Sequence, residues 1–196
     1  MKIKALLYCT KAKPTLYNVL GKFITTKYMG KDFKQDGLTH PELNGKIVIE
    51  CDYEVEEIFE DNLEDARDGY LEHFYTLKSY DDFDEGQKVL LKESCLQKHE
   101  LSNYLGFENG YAIHIKNLNI FDDPRFIQDY SKNENPYNYI ENAPSNMMYA
   151  YDVKSFNNFE KKILISIKPQ EMCRIANKEQ TIIVRKNVLK EMLKDE

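Results

Sequence analysis

Tryptophan is missing from the 196 residues, glycine and proline are sparse at eight and six, and only four cysteines occur. Cys9, Cys51, Cys95 and Cys173 form no C-x-x-C pair and no His–Cys cluster of zinc spacing. Reduced, mostly buried thiols in a cytoplasmic protein are therefore expected, rather than a disulfide or zinc framework. Long apolar runs are missing too. Ala5 to Cys9 is too short for a signal-peptide core, and nothing approaches the ~20 apolar residues of a membrane span, so neither secretion nor membrane insertion is expected. The phosphate-binding loop, the dinucleotide fingerprint, the nucleophile elbow and the H-E-x-x-H pattern are all absent. A nuclease built from scattered carboxylates would leave no local spacing, and nothing in the sequence points to one. The histidines at 40, 73, 99 and 114 make no metal constellation, and no cofactor is implied.

What is present is an ordinary globular composition, 42% apolar and 31% charged, enough for one real core. The net charge of -6 argues against nucleic-acid binding through bulk charge. Its distribution is more informative. Residues 1–46 hold nine lysines against three acids, residues 47–86 two basic groups against fifteen acids, and residues 161–196 nine basic groups against five acids. If the two basic ends meet in space, they make one basic face. Abundant Asn, Lys, Ile and Tyr suggest an AT-rich bacterial or phage source.

Periodicity predicts strands at Ile3 to Cys9 and, after the Asn44-Gly45 turn, at Lys46 to Ile58, where Ile47, Ile49, Cys51, Tyr53 and Val55 alternate with Val48, Glu50, Asp52 and Glu54. Residues 56–86 read as an acidic insertion with one helix at about Leu63 to Thr76. The stretch Ala12 to Leu20 reads as loop, Ser94 to Leu105 as a helix stopped by Gly106, and Tyr111 to Phe121 as a strand. Asp123-Pro124 reads as an N-cap and first helical residue of a short helix to Tyr130. Beyond an Asn- and Pro-rich loop at Ser131 to Ser145, Met147 to Tyr151 and Ile163 to Ile167 read as strands. Pro169 opens a helix burying Met172, Ile175 and Ala176; Thr181 to Arg185 is a strand, and Asn187 caps a last amphipathic helix.

The segment ILISIKPQEMCRIANKEQTIIVRK, Ile163 to Lys186, resembles the opening signature of the ASCH family of the PUA-like superfamily: a strand ending in Ser-Ile-basic-Pro, a helix, a tight turn and a second strand. Further blocks, ALLYCTKAK from Ala5, LNGKIVIECDYEVEEI from Leu43 and CLQKHELSNYLGFENGYAIHIKNLNIFDDPR from Cys95, are similar to the family's later strands. APSNMMYAYD, Ala143 to Asp152, is similar to its closing strand. The opening block follows the closing one, so the resemblance implies one α+β domain over residues 1–196. It would be a small PUA-like mixed β-barrel with flanking helices, circularly permuted, with residues 153–162 as connector.

The resemblance further implies a cleft for RNA or a modified nucleoside, walled by Tyr8, Thr10, Lys11, His114, Ser166, Lys168, Thr181, Arg185 and Lys186. Lys168 would precede a helix N-terminus, where free amides suit a phosphate. The blander readings are an exposed Lys168, an Arg185 paired with a carboxylate such as Glu50, and a His114 that is simply hydrogen-bonded in its strand. Some relatives deacylate an acylated cytidine with a Lys and a Thr; here those positions are Gln180 and Ile183, so that chemistry is not expected. The leading expectation is a non-enzymatic RNA- or nucleoside-binding module of bacterial or phage origin. The first alternative is a phage interaction factor that inhibits a host nuclease, its acidic segment Glu50 to Glu85 mimicking nucleic acid toward a basic protein partner. An RNA-processing or deacylating enzyme stands third.

Overall fold

Residues 3–11, 24–28, 31–35, 41–64, 71–155 and 158–193 are described by a computed structural model. It divides into two units, Met1–Asp52 with Lys116–Lys178, and Tyr53–Ile115 with Glu179–Glu196. The architecture is α+β. The strands are β1 (Lys4–Cys9), β2 (Ile24–Tyr28), β3 (Lys31–Gln35), β4 (Lys46–Glu64), β5 (Leu71–Leu77), β6 (Gly110–Phe126), β7 (Tyr130–Ser131), β8 (Met147–Ser155), β9 (Asn158–Ile167) and β10 (Ile182–Arg185). The helices are α1 (Phe83–Ser94), α2 (Lys98–Leu105) and α3 (Pro169–Ala176). Eight strands form one sheet in the order β10-β6-β4-β1-β9-β8-β7, with β5 paired to β4; β2 and β3 form a separate ribbon. The order has two ends, so among the described residues the sheet is open and not the closed barrel expected.

In the first unit β1 is central. It pairs antiparallel with β4 (Leu7↔Ile49, Cys9↔Lys46) and parallel with β9 (Ala5↔Ile163, Cys9↔Ile167). The expected strands at the two ends of the chain are thus neighbours in one sheet. As both faces are covered, β1 is buried from Ala5 to Cys9, which explains its unbroken apolar run. One core holds Leu6, Tyr8, Ile47, Ile127, Tyr130, Ile140, Ala150 and Leu164. Strands β8 and β9 form a hairpin (Met147↔Ile165 to Ser155↔Asn158), so residues expected as a connector are strand ends. Met172, Ile175 and Ala176 of α3 are buried as expected.

In the second unit the expected helix at 63–76 is replaced, over its described residues, by the β4–β5 hairpin, in register from Ile58↔Leu77 to Glu64↔Leu71. Leu71, His73, Tyr75 and Leu77 alternate with Glu72, Phe74 and Thr76, a period of two that the local acidity masked. The predicted helix at Ser94 to Leu105 is the junction of two. Asp82 caps α1 by accepting the Asp84 amide at 3.0 Å. α1 then stops at Cys95, whose φ of 54° is left-handed. α2 begins where Glu100 accepts the Gln97 amide and ends at Gly106, φ 61°. Both helices pack Leu90, Leu101 and Leu105 with Ile58, Tyr75, Leu77, Ala112, Ile182 and Val184.

The helix expected from Asp123-Pro124 is also corrected: β6 continues to Phe126, and only Ile127–Asp129 forms a 3-10 turn. A residue before proline is driven to extended backbone, and here that preference overrides the cap signal. The last helix is likewise only a 3-10 turn at Lys190–Leu193. Ala12 to Leu20 lies outside the described residues. No described helix is long and apolar enough to cross a membrane.

Candidate functional site

In the first unit, five of the nine expected site residues gather at one end of the parallel pair β1 and β9. Tyr8 is in register with Ser166, and the Thr10 amide donates to the Ile167 carbonyl at 2.9 Å, setting Thr10 beside the residue that precedes α3. Lys11 is exposed and Lys168 is exposed. Lys168 is the N-cap of α3, with φ -66° and ψ 147° and Pro169 next, so its side chain is not consumed by capping and the first-turn amides point outward. Glu171 in that first turn is the competing anion. Helix N-termini at the carboxyl ends of parallel strands are where open α/β sheets bind anionic ligands.

Gly45 shapes this rim. Its φ of +78° requires left-handed backbone, its amide donates to the Cys9 carbonyl at 2.8 Å, and a Cβ there would stand 3.3 Å from Lys11 Cε and 3.7 Å from the Tyr8 hydroxyl. The missing side chain leaves Lys11 and Tyr8 room at the turn. Tyr8 is 7% exposed, and burial, then the neighbouring Cys9, raise its phenol above the ordinary value. It is a neutral wall residue. The Ser166 hydroxyl donates to the Pro144 carbonyl at 2.6 Å, so it pins the Asn- and Pro-rich loop rather than facing a ligand. Two residues that the sequence did not single out join the rim. Lys46 is the register partner of Cys9, and its ammonium lies 5.2 Å from the ring centroid of Phe126, which is 58% exposed. Their signal was hidden because Phe126 falls where a helix was expected.

Beneath the rim, Cys9 is fully buried, and burial followed by the charges of Cys173 and Glu42 pushes its thiol up to about 12; Cys51 is likewise pushed to about 12, by burial and then Asp52. Folded thiols therefore keep protons that unfolded ones release near 9.0, so their contribution to stability is complete below that pH and is lost as pH rises from about 9 toward 12. The expected outcome of alkylation at neutral pH, followed by peptide mass mapping, is rapid labelling of the part-exposed Cys95 and protection of Cys9 and Cys51 until denaturant is added. Comparable native-state rates at all three would contradict this burial.

On the same face, toward the other end of the strands, lies an ionic network that the sequence did not reveal. Lys162 is 1% exposed, with its ammonium 2.9 Å from Glu50 and 2.6 Å from Glu160. Lys4 reaches Glu50 at 3.5 Å, and Arg125 donates to the Tyr130 hydroxyl at 3.0 Å and stands 3.7 Å from Asp152. Burial raises Tyr130 despite the lowering effect of Arg125. Three cations face three carboxylates, and each carboxylate has a cationic neighbour. This is the arrangement of a structural ion network rather than of a poised acid or base.

The other four expected residues belong to the second unit. His114 is the register partner of Ile182, and its Nε2 lies 2.9 Å from Glu56. The Thr181 hydroxyl donates to Glu93 at 2.9 Å, Arg185 donates to the Val184 carbonyl at 2.8 Å, and Lys186 stands 3.9 Å from Glu108. Glu50, suggested as a partner for Arg185, is the partner of Lys162 and Lys4 instead. Gln180 is buried with its amide donating to the Ile182 carbonyl at 2.9 Å, and Ile183 is fully buried. A second pair, His73 and Glu60 at 2.5 Å, has Phe107 edge-on at 4.4 Å from the imidazole. Among the described residues no three His, Cys, Asp or Glu side chains are grouped to hold a metal. No family model matches the chain, and no curated protein or solved structure gives a significant match.

Proposed function

We propose that this chain is a PUA-like module of permuted segment order that binds RNA or a modified nucleoside and catalyses no reaction on it. The observation that carries the reading is the convergence of Tyr8, Thr10 and Lys11 from one end of the chain with Ser166 and Lys168 from the other, at the carboxyl ends of β1 and β9. The permuted order is supported by the β8–β9 hairpin, which joins the segment resembling the family's closing strand directly to the one resembling its opening strand. Lys11 and Lys168 supply phosphate contacts, with the amides of α3 behind them.

The test is single-stranded RNA binding at several salt concentrations for the parent and for Lys11→Glu/Lys168→Glu. The parent should bind with a linear fall of log K against log salt, and each lost phosphate contact should reduce the slope by about 0.7 to 1. Absence of binding by the parent at low salt would remove the proposal.

The alternatives find less support. An acidic mimic would draw on a segment in which four carboxylates, Glu50, Glu56, Glu57 and Glu60, are already paired with lysine or histidine. The deacylase reading needs a lysine and a hydroxyl where this chain has a buried amide and a core isoleucine. Accordingly the purified protein should not release acetate from N4-acetylcytidine above background, and Gln180→Lys should not create that activity. Chromatographic detection of cytidine formed by the parent would reverse this assignment.

A further inference from the structure

Phe126 is among the most exposed large apolar side chains of the first unit, at 58%, in a unit whose core residues are almost completely buried. Its backbone is fixed. The Phe126 amide donates to Asp129 at 3.0 Å, and φ -80° and ψ 146° hold it extended at the end of β6. The ring therefore projects from a defined point rather than from a loose loop. Lys46 places a cation 5.2 Å from its centroid. Lys46 also follows Gly45, whose missing Cβ would meet Lys11. An exposed aromatic ring with the Lys46 ammonium beside it combines a stacking surface with backbone-neutralising charge. That is the pairing used for unpaired nucleotides, whose bases are free to stack while their phosphates meet lysines. A duplex offers neither free base faces nor a groove that a single ring on a strand end can read.

We propose that Phe126 and Lys46 form a stacking platform for an unpaired base, so that the ligand of the β1–β9 rim is single-stranded nucleic acid rather than a duplex. This rests on the binding function proposed above and narrows its substrate class. The Asp129 carboxylate, which accepts the Phe126 amide, is a negative charge close to the platform. A phosphate beside a base stacked on Phe126 meets Lys46.

The experiment titrates a short oligouridylate, and an RNA duplex of the same length, against the parent, Phe126→Ala, Phe126→Leu and Phe126→Trp. Melting temperatures serve as the folding control. The parent should prefer the single strand by at least about tenfold. Phe126→Ala and Phe126→Leu should weaken single-strand binding roughly five- to hundredfold, leaving the salt slope and duplex binding unchanged, and Phe126→Trp should retain it. Leucine keeps apolar bulk but no π face, so parent-like binding by Phe126→Leu overturns the stacking inference while leaving the RNA-binding proposal intact. Equal or tighter binding of the duplex, or loss with Phe126→Trp, overturns it as well. A parent that binds neither probe removes both proposals together.

Discussion

Lys162→Met is expected to lower folding stability by roughly 3–5 kcal/mol, measured by urea denaturation, although methionine matches the aliphatic stem of the lysine and leaves no large cavity. The reason is electrostatic. The Lys162 side chain is 2% exposed and its ammonium touches Glu50 and Glu160. Without it, Glu50 keeps Lys4 at 3.5 Å, from a side chain that is 41% exposed, and the more distant charge of Arg125. A carboxylate charge then stays in a mostly buried site, where solvent replaces the lost partner only in part. Adding Glu50→Gln should recover part of the loss, because it removes the stranded charge, so the double variant should be less destabilised than the sum of the singles. Because the pair is buried, added salt should change these differences little. A Lys162→Met variant within about 1 kcal/mol of the parent would mean that the network adds nothing that packing does not already supply.

The network also illustrates what a sequence can and cannot disclose. Strand β1 was legible from its apolar run, and the Lys46 to Val55 alternation from its period of two, because burial on one or two faces writes itself directly into residue order. The helix at Pro169 was legible because proline at its first position and three buried apolar residues agree. Lys162 was not. Its partner Glu50 is more than a hundred residues away in sequence, and the two meet only because β1 lies between β4 and β9. Phe126 was hidden for another reason, since it falls where a helix was expected and lies instead at the end of β6.

The misreading at Leu63 to Thr76 has a different origin. Acids and aromatics at mixed spacing look helical when considered alone, whereas the second half of β4 needs a hairpin partner for its ladder, and Leu71–Leu77 supplies it. The break at Cys95 is a further limit, since a non-glycine residue in left-handed conformation leaves no compositional mark. The expected site divides along the same line. Thr10 and Lys168 were expected from the resemblance, and the structure sets both at the end of the β1–β9 pair, Lys168 as the residue before α3. The hydroxyl of Ser166 and the side chain of Gln180 turned out to be spent on backbone carbonyls that no local pattern identifies.

Gly86→Ala is expected to destabilise the fold by about 1–3 kcal/mol, against the usual sign of that change. In an exposed helix interior alanine gains close to 1 kcal/mol over glycine, and Gly86 sits inside α1 with ordinary helical backbone. Its surroundings reverse the balance. A Cβ at Gly86 would lie 2.2 Å from Thr76 Oγ1 and 2.9 Å from Tyr80 Cβ, so either α1 must move off β5 or the two side chains must leave their positions. Thr76 is 6% exposed and cannot swing into solvent, and Tyr80 Cβ belongs to the rigid start of its side chain. Overpacking of this kind forces backbone shifts, and here it would disturb the contact between α1 and the hairpin that closes the second unit. Thr76→Ala removes the nearer obstacle and also a buried hydroxyl with no hydrogen-bond partner. Gly86→Ala should therefore cost less in a Thr76→Ala background than in the parent, with Tyr80 keeping some penalty in place. Chemical denaturation of the four proteins of this cycle reads the coupling directly. Additive effects, or a stabilised Gly86→Ala, would show that α1 does not approach β5 this closely.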